Sequence, residues 1–221
     1  SFDLLVTNTS TYSAHNVNKN GKNLEFGRIN FDSPDRYYGE GTEYTHTDLR
    51  FSFVDSDEGT AVTLVHPLFF TFYDLDQNFN PRQGSHYATE CLTITGHDDY
   101  TLHPQTSISL SNGVFCATAA GNAADNPTTA AQLDDVQKKV SVMFEFHNIA
   151  YFDMTIYIYC CGSGRNILFS GYYNILLDKC DSPPPPPPSP SPTPPPPCPP
   201  PPSPPPPPPF PTPPPPSHPP S

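Results

Sequence analysis

Short runs of alternating apolar and polar residues fill most of the chain up to residue 175. In 140–146 every second residue is Val or Phe, and 154–159 repeats the alternation with Met, Ile and Tyr. A period of two, interrupted by Gly, Asn, Asp and Pro, is typical of half-buried β-strands. The pattern predicts nine strands, at residues 2–7, 24–31, 48–54, 61–73, 90–95, 113–119, 139–147, 152–160 and 166–175.

Nine strands joined by loops predict an all-β fold, an antiparallel two-sheet sandwich that is jelly-roll-like. Pro67 lies inside the run 61–73, and a proline there predicts an edge strand or a bulge. One helical segment is expected at residues 125–138, capped by Asp125 or Asn126, with Pro127 in its first turn.

The end of the chain has a different pattern, because all but five of the 34 prolines lie in residues 183–221. Proline fixes φ near −65° and forces the preceding residue into an extended conformation. This composition predicts a polyproline II rod, and 39 residues at ~3.1 Å each span roughly 120 Å. We therefore divide the chain into a globular head, residues 1–181, and a rod, residues 182–221.

Charge is confined to the head. The chain has 22 acidic and 10 basic residues and a formal net charge of −12, and all of these residues precede position 182. An acidic head repels nucleic acid and anionic lipid, so we expect no nucleic-acid partner. No apolar run reaches 18 residues, so we expect no membrane insertion.

The six cysteines indicate an oxidising, extracellular environment. Their count is even and they show neither CxxC pairs nor zinc-finger spacing, which favours disulfides, and six cysteines allow 15 connectivities. The adjacent Cys160 and Cys161 would point to opposite faces of a strand. The sequon at Asn8 predicts N-glycosylation on a secretory route. The predicted disulfide residues are Cys91, Cys116, Cys160, Cys161, Cys180 and Cys198.

The Ser-Pro blocks at 182–188 and 203–209 resemble the hydroxyproline-rich glycoproteins of algae and plants, such as extensins and pherophorins. The head segments 72–76 and 125–127 look similar to uncharacterised algal extracellular domains. The resemblance implies a rod whose prolines are hydroxylated and carry O-linked sugars, with further sugars on Ser189, Ser191, Thr193 and Ser203. The implied proline sites include Pro183, Pro184, Pro185, Pro186, Pro187, Pro188, Pro194, Pro195, Pro196, Pro197, Pro204, Pro205, Pro206, Pro207, Pro208 and Pro209, together with the blocks 199–202 and 213–216.

A possible metal site follows the apolar run that ends at Tyr73. Asp74, Asp76 and Asn78 place oxygen ligands at alternate positions, and oxygen ligands suit a structural Ca²⁺. The alternative is a plain Asx turn between strands. The acidic segment 55–59 has the same two interpretations. Apart from Ca²⁺, no cofactor is expected.

These features together favour a structural subunit of an extracellular fibre, flagellar hair or cell wall. Its partners would be covalent glycans and copies of itself in a filament, because a rod of this length outreaches its own head. Tyrosine faces bind polyproline, and the candidate docking residues are Tyr37, Tyr38, Tyr172 and Tyr173. No catalytic motif such as GxSxG or HExxH is present, so we expect no enzyme. A stalked carbohydrate-binding or adhesive module and a wall-associated glycoside hydrolase with a proline linker are the alternatives.

Overall fold

The computed structural model describes residues 1–32, 44–80, 86–122, 124–159 and 164–173. Within this part of the chain, thirteen strands carry nearly all of the regular structure. They are β1 Phe2–Asn8, β2 Gly21–Asn23, β3 Phe26–Phe31, β4 Tyr44–Asp55, β5 Leu68–Tyr73, β6 Gln77–Asn80, β7 His86–Ile94, β8 Asp99–Leu102, β9 Ile108–Ser111, β10 Val114–Ala117, β11 Val142–Phe146, β12 Tyr151–Tyr159 and β13 Arg165–Tyr173. The helices are a 3-10 turn, Val17–Lys19, and α1, Asp135–Lys139.

The strands form two antiparallel sheets. Sheet A has the order β1-β4-β12-β7-β10-β9, and β6 pairs with the first half of β7 beside β10. Sheet B has the order β2-β3-β13-β5-β11-β8. Every paired strand runs antiparallel to its neighbour, which confirms the all-β, two-sheet antiparallel architecture.

The two sheets bury a core made largely of phenylalanine. Alternate residues of β4 and β12 point inward from sheet A, and Phe51 stacks on Phe152 with ring centroids 4.8 Å apart. Phe70 and Phe72 of β5 meet Phe51 from sheet B, at 5.6 and 6.0 Å. Offset and edge-to-face ring pairs stabilise a core beyond simple area burial. The opposite alternate residues of the same strands form the outer faces of the sandwich.

Two sequence predictions near β5 are wrong in detail. The predicted strand 61–73 is a strand only from Leu68; Ala61 and Leu64 make isolated bridges to Val54 and Ile149. β5 lies between β13 and β11 in sheet B and is not an edge. Pro67 is compatible with a central strand because it directly precedes β5, where its missing N–H breaks no ladder hydrogen bond.

The helix begins ten residues later than the sequence predicted. Asp134 is its N-cap, and its carboxylate accepts the N–H groups of Val136 and Gln137, both at 2.9 Å. The Gln137 side chain in turn accepts the Asp134 N–H, which completes a capping box. Asp125 and Asn126 cap no helix, because their segment is a turn and Pro127 lies buried in it.

A disulfide links Cys91 of β7 to Cys116 of β10, which lie directly opposite each other in the ladder. Their Cα atoms are 4.1 Å apart. This bond confirms that these two cysteines staple the head internally. Cys160, Cys161, Cys180, Cys198 and the whole rod lie outside the described residues. Among the residues that are described, no helix is long and apolar enough to cross a membrane.

Candidate metal centre and docking groove

One end of the space between the sheets contains charged side chains in place of apolar ones. Glu90 of β7 points inward in phase with Leu92, and Arg165 starts β13 in phase with Ile167. Asp76 lies in the link between β5 and β6, and its carboxylate contacts the Arg165 guanidinium. Glu90 is 1 % exposed and Asp76 is 9 % exposed, so these groups are withdrawn from water.

Arg165 holds two of these carboxylates. Its Nε donates to Glu90 Oε1 at 2.6 Å, and its Nη2 donates to Asp76 Oδ1. The Asp76 N–H donates to the second Glu90 oxygen at 3.2 Å. Charge pairing and hydrogen bonding are what make buried ions tolerable, and losing one partner of such a pair is expensive.

Two further carboxylates lie beside Asp76. Single oxygens of Asp74, Asp76 and Asp125 all lie within 4.8 Å of one another. Asp125 is 2 % exposed, and its two oxygens accept the N–H of Asn122 at 2.9 and 3.1 Å. Asp74 has φ of 61°, and its Oδ1 is buried with no hydrogen-bond partner. We call Asp74, Asp76 and Asp125 the acid cluster.

Burial and mutual repulsion raise the pKa values of this region. Burial raises the pKa of Asp74 to about 7, and the charges of Asp76 and Asp125 add to the effect. Burial also raises the pKa of Asp76. The pKa of Glu90 rises to about 8, mainly through burial, although Arg165 opposes the rise. Four carboxyl groups face one guanidinium here, an excess of three negative charges when all are ionised.

The acid cluster has the ligand chemistry of a hard cation site. Carboxylate oxygens are what Ca²⁺ prefers, and a divalent cation would compensate two of the three excess negative charges. The structure brings together two of the three residues that the sequence proposed, Asp74 and Asp76. Asn78 lies on β6 with an exposed side chain, and Asp125 supplies the third carboxylate of the cluster.

The second acidic segment, 55–59, forms an Asx turn, the alternative to a metal site. The Asp55 carboxylate accepts the N–H groups of Asp57 and Glu58 at 2.8 and 2.9 Å. These hydrogen bonds stabilise the ionised form and lower the pKa of Asp55. The carboxylate of Asp55 therefore has a local structural role.

A groove of about 700 Å³ crosses the outer face of sheet B. Phe69, Met143 and Tyr172 project into it from β5, β11 and β13, and Ala130 and Ala131 line it as well. Tyr172 is 62 % exposed. We call this the docking groove. It contains Tyr172, one of the four tyrosines that the sequence proposed for rod docking; Tyr37, Tyr38 and the side chain of Tyr173 lie outside the described part of the chain.

The alanine side of the docking groove is held by fixed contacts. The Ala130 N–H donates to Glu25 Oε2 at 2.8 Å. Ala130 and Leu133 pack on a small apolar cluster of Phe26, Tyr73 and Leu168 beneath them. The Tyr73 and Ser170 hydroxyl groups lie 2.6 Å apart in the floor. The groove is thus a preformed feature of sheet B.

The predicted N-glycosylation residue, Asn8, ends β1 with an exposed side chain. Its Nδ2 donates to the Ser10 carbonyl at 2.8 Å. Asn8 also lies at a cavity of about 580 Å³ between the β1 and β2 edges of the sandwich. Its position is compatible with a surface glycan.

No protein-family model matches the chain, and a search of curated proteins finds no similar sequence. What can be inferred about function therefore depends on the chain's own residues.

Proposed function

We propose that the protein is a structural subunit of an extracellular glycoprotein fibre, hair or wall, and that its head binds the proline rod of a neighbouring copy. The observation that supports this most is the docking groove. An exposed apolar groove with an aromatic side chain at its surface is a common feature of binding sites. The same chain supplies the matching ligand, since 29 of its last 39 residues are proline.

The chemistry of the two surfaces is complementary. A polyproline II helix offers pyrrolidine rings and unpaired carbonyl oxygens, and its prolines have no N–H to donate. The docking groove offers the rings of Phe69 and Tyr172, the thioether of Met143 and the Tyr172 hydroxyl as a donor. Such aromatic-lined grooves are the usual receptors for proline-rich segments, because a stiff ligand loses little entropy on binding.

The proposed contact joins two different surfaces of the subunit, the groove and the rod. The groove of one copy would bind the rod of the next, so the interface is head-to-tail and extends without limit unless the rotation closes a ring. An uncharged rod also avoids repulsion by a head that carries the whole net charge of −12. Covalent sugars on the rod would cover the parts that the heads leave exposed.

We also propose that the acid cluster binds a structural Ca²⁺. The buried, unpartnered Oδ1 of Asp74 beside Asp76 and Asp125 supports this assignment. In this proposal the ion reduces the excess negative charge at this end of the sandwich and stabilises the loops that carry Asp74 and Asp125. It has no role in catalysis.

Truncation after Asp181 tests the fibre proposal. Full-length protein should form long assemblies in electron micrographs, the truncated head should stay dispersed, and a synthetic peptide of residues 199–217 should inhibit assembly. Heads that polymerise equally well without the rod would refute the proposal. Binding of the head to glycan arrays, or turnover of a polysaccharide, would favour the two alternatives.

Intact-mass analysis of the rod from the natural source tests the glycan part. The expected result is a rod mass raised by hydroxyl groups and pentose or hexose units. A rod of unmodified mass would contradict it.

A further inference from the structure

A second aromatic surface lies on the outer face of sheet A, on the side of the sandwich opposite the docking groove. It consists of Tyr44 and His46 of β4 and Tyr157 and Tyr159 of β12, and we call it the aromatic array. The strand register places Tyr44 opposite Tyr159 and His46 opposite Tyr157. Neighbouring ring centroids are 5.3–6.2 Å apart. Tyr44 is 47 % exposed, so the array is open to a partner.

Among the described residues, Asp48, Arg50 and Asp153 beside the array have hydrogen-bond partners within the same face. The Thr155 hydroxyl donates to Asp48 Oδ1 at 2.6 Å. Arg50 donates two hydrogen bonds to Asp153, at 2.8 and 2.9 Å, and its guanidinium lies 4.1 Å from the Tyr151 ring centroid. Among the described residues of this face, the four rings are therefore the largest accessible surface without a formal charge of its own at neutral pH, and such a surface suits an uncharged ligand.

The predicted length of the rod favours more than one docking surface on each head. Every copy has one head and one proline-rich segment, and the polyproline II rod predicted from the sequence would span roughly 120 Å, about three times the roughly 40 Å diameter expected of the head. In a fibre whose rods run along heads, each head then has about three rod segments beside it. The docking groove follows β5, six residues long, and at ~3.3 Å per residue it covers roughly 20 Å of one segment.

We infer that the aromatic array is a second binding site for the proline rod of another copy, so that each head binds two rods, one on each outer face. This inference rests on the proposed function. Three of the four rings carry a hydroxyl donor for the proline carbonyls, and the ring surfaces pack against pyrrolidine. The donors and apolar surface are the same combination that the docking groove offers, now on the opposite face.

Photo-crosslinking of the full-length protein tests the inference. The probe is a synthetic peptide of residues 199–217 that carries a photoreactive phenylalanine at position 210, added in excess over the chain. Mass spectrometry should find two groups of crosslinks, one on β5, β11 and β13 and the other on β4 and β12. Native mass spectrometry should show two peptides for each chain.

The double variant Tyr44→Ser/Tyr157→Ser should lose the crosslinks on β4 and β12 at least tenfold and keep those on sheet B. Tyr151→Ser is the matched control, because Tyr151 lies on the same face of β12 outside the array, and it should keep both groups. Unchanged melting temperatures would show that the variants fold.

The outcomes separate the two claims. Crosslinks on sheet B alone would overturn the second site and leave the proposed function standing. Crosslinks on neither face would refute both. If an uncharged oligosaccharide protects the array while the unlabelled peptide does not, the array is a sugar-binding face and the inference is wrong.

Discussion

The charged end of the sandwich, which consists of the acid cluster together with Glu90 and Arg165, departs from the usual distribution of residues in the opposite direction from the docking groove. The first places four carboxyl groups and a guanidinium inside the head, where Leu92 and Ile167 are the neighbours in phase. The second leaves Phe69, Met143 and Tyr172 at the surface. Charged residues are almost never fully buried unless paired, and exposed apolar patches mark interaction sites.

The two regions differ in what completes them. Arg165 and backbone donors compensate part of the buried charge, and in our proposal a small cation compensates much of the rest. The docking groove has apolar surface that nothing in the described residues covers, and in our proposal an extended, uncharged ligand covers it. We therefore expect changes in the first region to alter folding stability and changes in the second to alter assembly.

Replacing Arg165 should have the largest effect. Arg165→Met leaves Glu90 and Asp76 without their cation, and breaking a buried pair costs about 3–5 kcal/mol. That is a large fraction of a typical stability of about 5–15 kcal/mol. Urea denaturation measures the loss. Arg50→Met is the control, because the Arg50–Asp153 pair lies at the surface, where solvent screens the charges and the loss of stability should be small. Equal losses in the two variants would contradict the assignment.

The stability of the metal-free head should depend on pH through Asp74 and Glu90. Their folded pKa values are raised, to about 7 and about 8, from 3.8 and 4.5. The folded state therefore binds protons more tightly than the unfolded state, and stability falls as the pH rises between these limits. Urea denaturation in the presence of a chelator measures this, and the midpoint should be lower at pH 8 than at pH 5. Asp74→Asn should reduce the slope, and a steeper slope in that variant would count against this origin.

Calcium should reverse that loss at higher pH. Ca²⁺ binds the ionised carboxylates, so its stabilisation should grow as the pH rises. At a concentration 100 times its Kd it adds about 2.7 kcal/mol, which for a domain of this size raises Tm by roughly 5–10 °C. Differential scanning calorimetry with Ca²⁺ or chelator measures it. Asp74→Asn should abolish the response and Asp55→Asn should keep it; an unchanged response in Asp74→Asn would exclude Asp74 as a ligand.

The docking groove should affect assembly with little effect on folding. Tyr172→Ala removes an exposed ring, so Tm should hold while self-association weakens about tenfold, which corresponds to about 1.4 kcal/mol. Sedimentation velocity over a concentration series measures this. Tyr151→Ala is the control, since Tyr151 is also an exposed tyrosine but lies on sheet A, outside the groove. A matching loss in both variants would mean that the groove is not the specific surface.

The alternation of apolar and polar residues predicts the all-β, two-sheet fold but does not predict its shortest strands. The four short strands at 21–23, 77–80, 99–102 and 108–111 were missed because so few residues give little alternation to detect. The sequence contains the capping-box residues Asp134 and Gln137. The predicted helix start is wrong because Pro127 was assigned to the first turn of the helix.

Part of the charged end was also readable from the sequence. Glu90 shares its alternation with Leu92 and Ile94, and Arg165 shares its alternation with Ile167 and Phe169, so both occupy positions that a strand buries. The approach of Asp125 to Asp74 could not be predicted, because about fifty residues and several strands separate them. The docking groove likewise depends on a distant loop, 130–131, packing beside three strands of sheet B.

The most direct test of the central claim, that the head binds the rod of another copy in the docking groove, is chemical-shift mapping. A ¹⁵N-labelled head of residues 1–181 would be titrated with the unlabelled peptide 199–217. The account predicts saturable shifts of the amides of Phe69, Met143 and Tyr172, which Tyr172→Ala weakens about tenfold. A titration that leaves these three amides unmoved at millimolar peptide would contradict it.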